Sequence, residues 1–133
     1  MRINYLFSDI SKEQGFNEIQ REYLKKDIKN NDTIVFIATT FDDYEKNDLY
    51  YNNLIKHFKN IDITFNKAYL IDNRVAKDLA KDYILKSNIT VGDGLIWCIH
   101  ISKISDKFTY KMYRISARRT GESYERKNDE ERT

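Results

Sequence analysis

One run of residues, 33–39 (TIVFIAT), limits the fold of this chain more than any other segment. Its side chains are apolar or β-branched at nearly every position, whereas a strand with one face in water alternates between apolar and polar residues. A strand of this kind needs cover on both faces of its sheet, and helices provide that cover in α/β proteins. The run therefore predicts a central strand of an α/β sheet.

Strand and helix patterns alternate on both sides of this run. Short, mostly apolar segments predict the strands, and apolar residues spaced by three and four predict amphipathic helices. The predicted strands are 2–8, 33–39, 65–71 and one starting at 89, and the predicted helices are 16–29, 44–59 and 75–86. Because this order requires crossover connections, we expect a parallel, Rossmann- or flavodoxin-like sheet with helices on both faces.

The pattern changes after Gly94. Residues 95–102 (LIWCIHIS) and 108–116 (FTYKMYRIS) are joined by a polar segment and predict a C-terminal β-hairpin. The last 17 residues, 117–133, are charged and almost free of apolar side chains, which predicts a disordered tail. We therefore expect one α/β domain over 1–116, in which 1–91 form the βαβ part and 92–116 the divergent hairpin.

Composition excludes several classes of protein. The net charge is +2 with both signs interspersed, so no basic stripe indicates a nucleic-acid partner. No segment is long and apolar enough to predict a membrane span, and no signal-peptide pattern opens the chain, so we expect a cytoplasmic protein. The single Cys98 cannot form an internal disulfide, and His57 and His100 stand apart from other metal-ligand residues. We predict no metal and no cofactor.

Ligands of parallel α/β sheets bind beyond the carboxyl ends of the strands. In this chain those ends carry small, acidic or basic residues that suit the binding of a small molecule. The candidate ligand-binding residues are Ser8, Asp42, Asp43, Arg74, Gly92, Asp93 and Gly94.

Each candidate also has a structural interpretation. Asp42 and Asp43 could form a substrate-facing or metal-binding rim, but capping of the following helix is favoured, because acidic residues are expected in a first turn. Arg74 could hold a substrate carboxylate or form a surface ion pair, and the sequence favours neither. Gly92 and Gly94 could line an oxyanion or phosphate loop, but a tight turn that needs positive φ is favoured.

Three stretches carry a resemblance to a known family: LFSD after the first strand, DDYEKND at the start of the second helix, and LIDNR at the end of the third strand. Over residues 1–89 the chain resembles the N-terminal part of peptidase E-like proteins, a serine-peptidase branch of the class I glutamine amidotransferase-like superfamily. The resemblance implies an α/β fold. It also implies an ancestral activity, the hydrolysis of short Asp-containing peptides.

The chain departs from that family where catalysis would take place. The family's fourth strand leads into a Gly-Gly-Asp/Asn-Thr loop, whereas residues 91–94 here are VGDG. No Gly-x-Ser-x-Gly nucleophile elbow follows, and neither His57 nor His100 falls at a predicted strand end. We assign no catalytic residue, and we expect a truncated or divergent relative that is inactive alone.

Three classes of function stay open from the sequence. The chain could be an inactive peptidase E-like relative, a module that binds a small peptide or other small molecule at the strand carboxyl ends, or a self-associating interaction protein. For the third class we expect a homo-oligomer formed through residues 94–116, because residues 96–101 present apolar groups to both sides of their strand.

Overall fold

The structure is a computed structural model that describes residues 2–7, 10–93, 97–102 and 113–114. Strands and helices alternate as the sequence predicts, and the α/β class is confirmed. The elements are β1 (Arg2–Phe7), α1 (Glu18–Asp27), β2 (Thr33–Ile37), α2 (Tyr44–Asn60), β3 (Lys67–Ile71), α3 (Lys77–Lys86), β4 (Ile89–Asp93) and β5 (Trp97–Ser102).

The sheet has five strands in the order β1-β5-β4-β2-β3. β2 is parallel to both β3 and β4, so the predicted parallel arrangement is confirmed for these three neighbours. β5 is antiparallel to both β4 and β1, so the sheet is mixed, whereas the sequence predicted a parallel sheet with a separate C-terminal hairpin. The reason is the connection between β4 and β5: a few residues are enough for a hairpin, whereas a parallel return needs a crossover of a dozen or more.

Helices cover both faces of the sheet, as predicted. Leu24 of α1 and Phe58 of α2 pack with Phe36 of β2 on one face. Ala80 and Ile84 of α3 pack on the other face. The chain moves outward from β2 to β3 and then back across β2 to β4. Because crossovers are right-handed, two moves in opposite directions place their helices on opposite faces.

Burial confirms the role that the sequence gives to the run at 33–39. All five residues of β2 are buried, and Val35 and Phe36 have no solvent exposure at all. β3, at one edge of the sheet, is exposed at Lys67 and only half-buried at Ala68, Tyr69 and Leu70. The strand order therefore explains why the central strand β2 is buried on both faces, whereas the edge strand β3 is not.

α1 and α2 pack on the same face of the sheet, and each begins after a capping residue. Asn17 caps α1 in a capping box, in which its side chain and that of Gln20 each accept from the other's backbone N–H. The Asp43 carboxylate caps α2 by accepting from the backbone N–H of Lys46. Of the two predicted caps, Asp42 and Asp43, the second is the one that the structure uses.

The predicted second strand of the C-terminal hairpin, 108–116, is described only at Tyr113 and Arg114. Both have helical backbone, so the strand prediction is wrong at these two residues. Tyr113 is buried beside Phe41, with 5.9 Å between ring centroids. The predicted tail, 117–133, lies outside the described residues. No helix in the described part of the chain has both the length and the apolar character needed to cross a membrane.

Candidate functional site

The carboxyl ends of three parallel strands meet at one edge of the sheet. Thr39 and Thr40 follow β2, Asp72 follows β3, and Asp93 ends β4, and we call this group the carboxyl edge. The chain leaves β2 toward β3 but leaves β4 toward β5, in the opposite direction. Open α/β sheets bind ligands between strand ends at such a reversal of direction, and we call this place between the ends of β2 and β4 the crevice.

Asp93 links the end of β4 to the segment that follows β2 by a hydrogen bond. Its Oδ1 accepts a hydrogen bond of 2.9 Å from the backbone N–H of Thr39. The residue is only 5 % exposed, and this burial raises the pKa of the Asp93 carboxyl. A buried carboxyl whose pKa is raised lies at the crevice, as is common for groups that bind or react with ligands.

A second carboxylate, Asp72, holds Arg74 in place. Asp72 is 1 % exposed, and it accepts from the Arg74 backbone N–H at 3.0 Å and from Arg74 Nη2 at 2.7 Å. The same guanidinium donates to the Asp48 carboxylate through Nη1 and Nη2, at 3.1 and 2.6 Å. These bonds lower the pKa of Asp48 and raise that of Arg74. Most donors of Arg74 are engaged within the protein, as the ion-pair interpretation requires.

Asn47 links this network to the end of β2. Its Nδ2 donates to the Thr40 carbonyl oxygen at 2.9 Å and to Asp72 Oδ2 at 3.2 Å. The residue is fully buried, and its Oδ1 finds no hydrogen-bond partner among the described residues. A buried acceptor without a donor costs about 1–3 kcal/mol, so a nearby donor such as water or a polar ligand would be favourable.

A basic and aromatic group borders the same end of α2. The Lys46 ammonium lies 5.4 Å from the Tyr50 ring centroid and 3.5 Å from the Thr40 hydroxyl oxygen. The Lys12 ammonium lies 5.6 Å from the centroid of the same Tyr50 ring. The centroids of the Tyr50 and Trp97 rings are 6.1 Å apart. Two ammonium groups therefore lie near one aromatic ring, at the same end of the sheet as the carboxylates of Asp43 and Asp93.

The structure brings three of the predicted site residues to this edge: Asp43 as the cap of α2, Arg74 in its ion pairs, and Asp93. Asp42 is exposed. Gly92 lies within β4, paired with Ile37 and Cys98, and its φ is not positive, so the favoured turn interpretation is wrong for this residue. Ser8 and Gly94 lie outside the described residues.

Sequence reasoning missed Asn47, Lys46, Lys12 and Trp97. Asn47 and Lys46 do carry a local signal, because they lie in the first turn of a helix that follows directly after a buried strand. Lys12 and Trp97 carry none, since they reach the site only through the positions of β1 and β5 in the sheet. The non-local part of the site therefore depends on strand order.

The histidines lie away from this edge. His57 is buried beside Phe16, 6.2 Å between ring centroids, and burial lowers its pKa. His100 Nδ1 lies 2.6 Å from Asn4 Oδ1, in the middle of β5. Within residues 2–7, 10–93, 97–102 and 113–114, no group of three His, Cys, Asp or Glu side chains could hold a metal ion.

These features define an α/β protein whose parallel strands end in a group of acidic, basic and aromatic side chains. No protein-family model matches the chain, and no curated protein or solved structure matches it either.

Proposed function

We propose that this chain is a small-ligand binding module whose ligand occupies the crevice between the ends of β2 and β4. In this proposal the chain is a divergent relative of peptidase E-like proteins, with a Rossmann-like core and no serine hydrolysis of its own. The observation that carries the proposal is the convergence of Lys46, Thr40 and Asp93 at the point where the chain leaves the sheet in opposite directions.

The chemistry of the crevice favours an anionic ligand with an apolar or planar part. The ammonium groups of Lys46 and Lys12 supply positive charge at its mouth, and the rings of Tyr50 and Trp97 supply a surface for van der Waals contact. The Asp93 carboxyl adds a hydrogen-bonding group that can fix the orientation of the ligand. A dipeptide with an N-terminal Asp meets these requirements, and it is also the substrate type that the family resemblance implies.

The residues around the crevice favour ligand binding over serine hydrolysis. Serine hydrolysis needs a nucleophile and a base within hydrogen-bond reach. Both histidines lie elsewhere in the fold, and the full sequence contains no Gly-x-Ser-x-Gly elbow. Arg74 is already bonded to Asp48 and Asp72, so the positive charge left for a ligand comes mainly from the two lysines.

The proposal is tested by calorimetric titration with aspartyl-alanine dipeptide. We expect saturable binding to the wild type, and about tenfold weaker binding to Lys46→Ala, which corresponds to losing roughly 1.4 kcal/mol of charge pairing. Lys56→Ala is the matched control, because Lys56 lies on the same helix and is exposed further along it.

The control should bind as the wild type does. A wild type that shows no saturable binding at millimolar dipeptide would contradict the proposal for this ligand class. If Lys46→Ala and Lys56→Ala lost equal amounts of dipeptide affinity, the dipeptide would bind outside the crevice. A parallel titration with inorganic phosphate separates recognition of the dipeptide from attraction of any anion.

A further inference from the structure

We propose that two copies of this chain associate through β1, pairing their edge strands antiparallel across a two-fold axis and packing the two α1 helices together. This inference concerns a surface outside the crevice and does not depend on the proposed ligand.

β1 is an edge strand without the residues that usually block pairing with another chain. Within the described part of the chain, β1 has one neighbour, β5, so one side of its backbone faces away from the sheet. Edge strands usually carry Lys, Pro or a bulge that blocks pairing with another chain. The strand Arg2–Phe7 (RINYLF) contains no Pro and no Lys, and its single charge is at its first residue.

Large apolar side chains flank this edge on both faces of the sheet. Leu6 is 65 % exposed on the face that α3 covers elsewhere. On the opposite face α1 presents Ile19, 67 % exposed, and Tyr23, 51 % exposed. The Tyr5 hydroxyl donates to the Asp27 carboxylate, and this bond holds the helix along the strand. Exposed apolar groups beside the open side of an edge strand mark an interaction surface.

A second copy fits this surface better than an unrelated chain, because the surface is self-complementary. A two-fold axis perpendicular to the sheet makes the two β1 strands antiparallel and keeps each α1 on the same face as its mate. The two helices then run antiparallel beside each other. That arrangement brings Glu22 of one copy near Lys26 of its mate, since both residues lie beside Ile19 and Tyr23 on the side of α1 that borders β1.

The strand order also changes where two copies of the chain are expected to associate. That prediction placed the interface in residues 94–116, of which Trp97–Ser102 form β5. β5 lies between β1 and β4, and both of its sides are already hydrogen-bonded. The edge strand next to β5 is β1, and β1 therefore supplies the open edge on that side of the sheet.

Sedimentation or light scattering of the full chain at tens to hundreds of micromolar tests this proposal. We expect the wild type to be a dimer, and Leu6→Lys and Ile19→Lys to be monomers with unchanged circular dichroism, since both side chains are exposed. Leu85→Lys is the matched control: Leu85 is 70 % exposed on α3, away from this edge, and its variant should remain a dimer.

Charge reversal tests the antiparallel helices separately. We expect Glu22→Lys and Lys26→Glu each to dimerise more weakly alone than the wild type, and to form a one-to-one heterodimer when mixed. A wild type that stays monomeric at hundreds of micromolar would overturn the proposal. So would a dimer that Leu85→Lys dissociates as readily as Leu6→Lys, or charge-reversed variants that fail to pair on mixing.

Discussion

Replacing Asp72 with Asn tests whether the carboxyl edge is held together as described. The carboxylate is almost completely buried, and every group that contacts it is a donor: the Arg74 backbone N–H, the Arg74 guanidinium and Asn47 Nδ2. An Asn side chain of the same shape must place an NH2 group where one of these acceptor oxygens now lies. Two donors then face each other, and a buried hydrogen bond is lost.

The size of the effect follows from the burial of each partner. An unpaired buried donor together with a lost hydrogen bond costs about 1–3 kcal/mol. The lost charge adds little, because the Arg74 side chain is 39 % exposed and keeps its pair with Asp48. We therefore expect Asp72→Asn to lower the free energy of unfolding by about 2 kcal/mol, and the melting temperature by roughly 5–10 °C for a domain of this size.

Urea and thermal unfolding followed by circular dichroism measure this change. Asp82→Asn is the control, because Asp82 forms an exposed ion pair of 2.8 Å with Lys86 on α3, and such pairs contribute about 0.5 kcal/mol or less. If Asp72→Asn costs no more than Asp82→Asn, then Asp72 does not organise the ends of β2 and β3, and the reasoning about this site fails.

Three further predictions concern other positions. Gly15→Ala should cost about 1–3 kcal/mol in urea unfolding, because Gly15 has φ of +73° and an added Cβ would lie 2.7 Å from His57 Nδ1; an unchanged midpoint would refute this. Burial raises the pKa of Asp93, so its neutral form is favoured in the folded state and stability is lost as pH rises through that folded pKa. Asp93→Asn should therefore become more stable relative to wild type from about pH 4 to about pH 7, and a pH-independent difference would count against it. Chromatography should detect no free Asp released from aspartyl-alanine, whereas turnover abolished by Ser102→Ala would show that serine chemistry is present after all.

The local parts of the fold could be predicted because local physics determines them. The apolar run of β2 indicates burial on both faces, and β2 is completely buried. The acidic residues before α2 indicate an N-cap, and Asp43 provides it. Asp72 and Arg74 are two residues apart after a strand, so their contact also lies within reach of sequence reasoning.

The non-local parts could not be predicted, because strand order depends on pairing between distant segments. Nothing in the sequence of β1 places it beside β5 at the edge instead of beside β2. The short link after Asp93 decides that β5 returns antiparallel, and this brings Trp97 to the crevice. The helical backbone at Tyr113 was missed for a related reason: its segment has a strand-like pattern, but its packing against Phe41 depends on the tertiary fold.

The central claim is that a small ligand binds at the carboxyl end of the parallel strands, and chemical-shift mapping tests it most directly. Aspartyl-alanine is titrated into ¹⁵N-labelled protein while backbone amide shifts are recorded. We predict saturable changes concentrated at Thr39, Thr40, Lys46 and Asp93. Changes concentrated instead around Asn88, at the opposite end of β4, or no changes at millimolar dipeptide would contradict the claim.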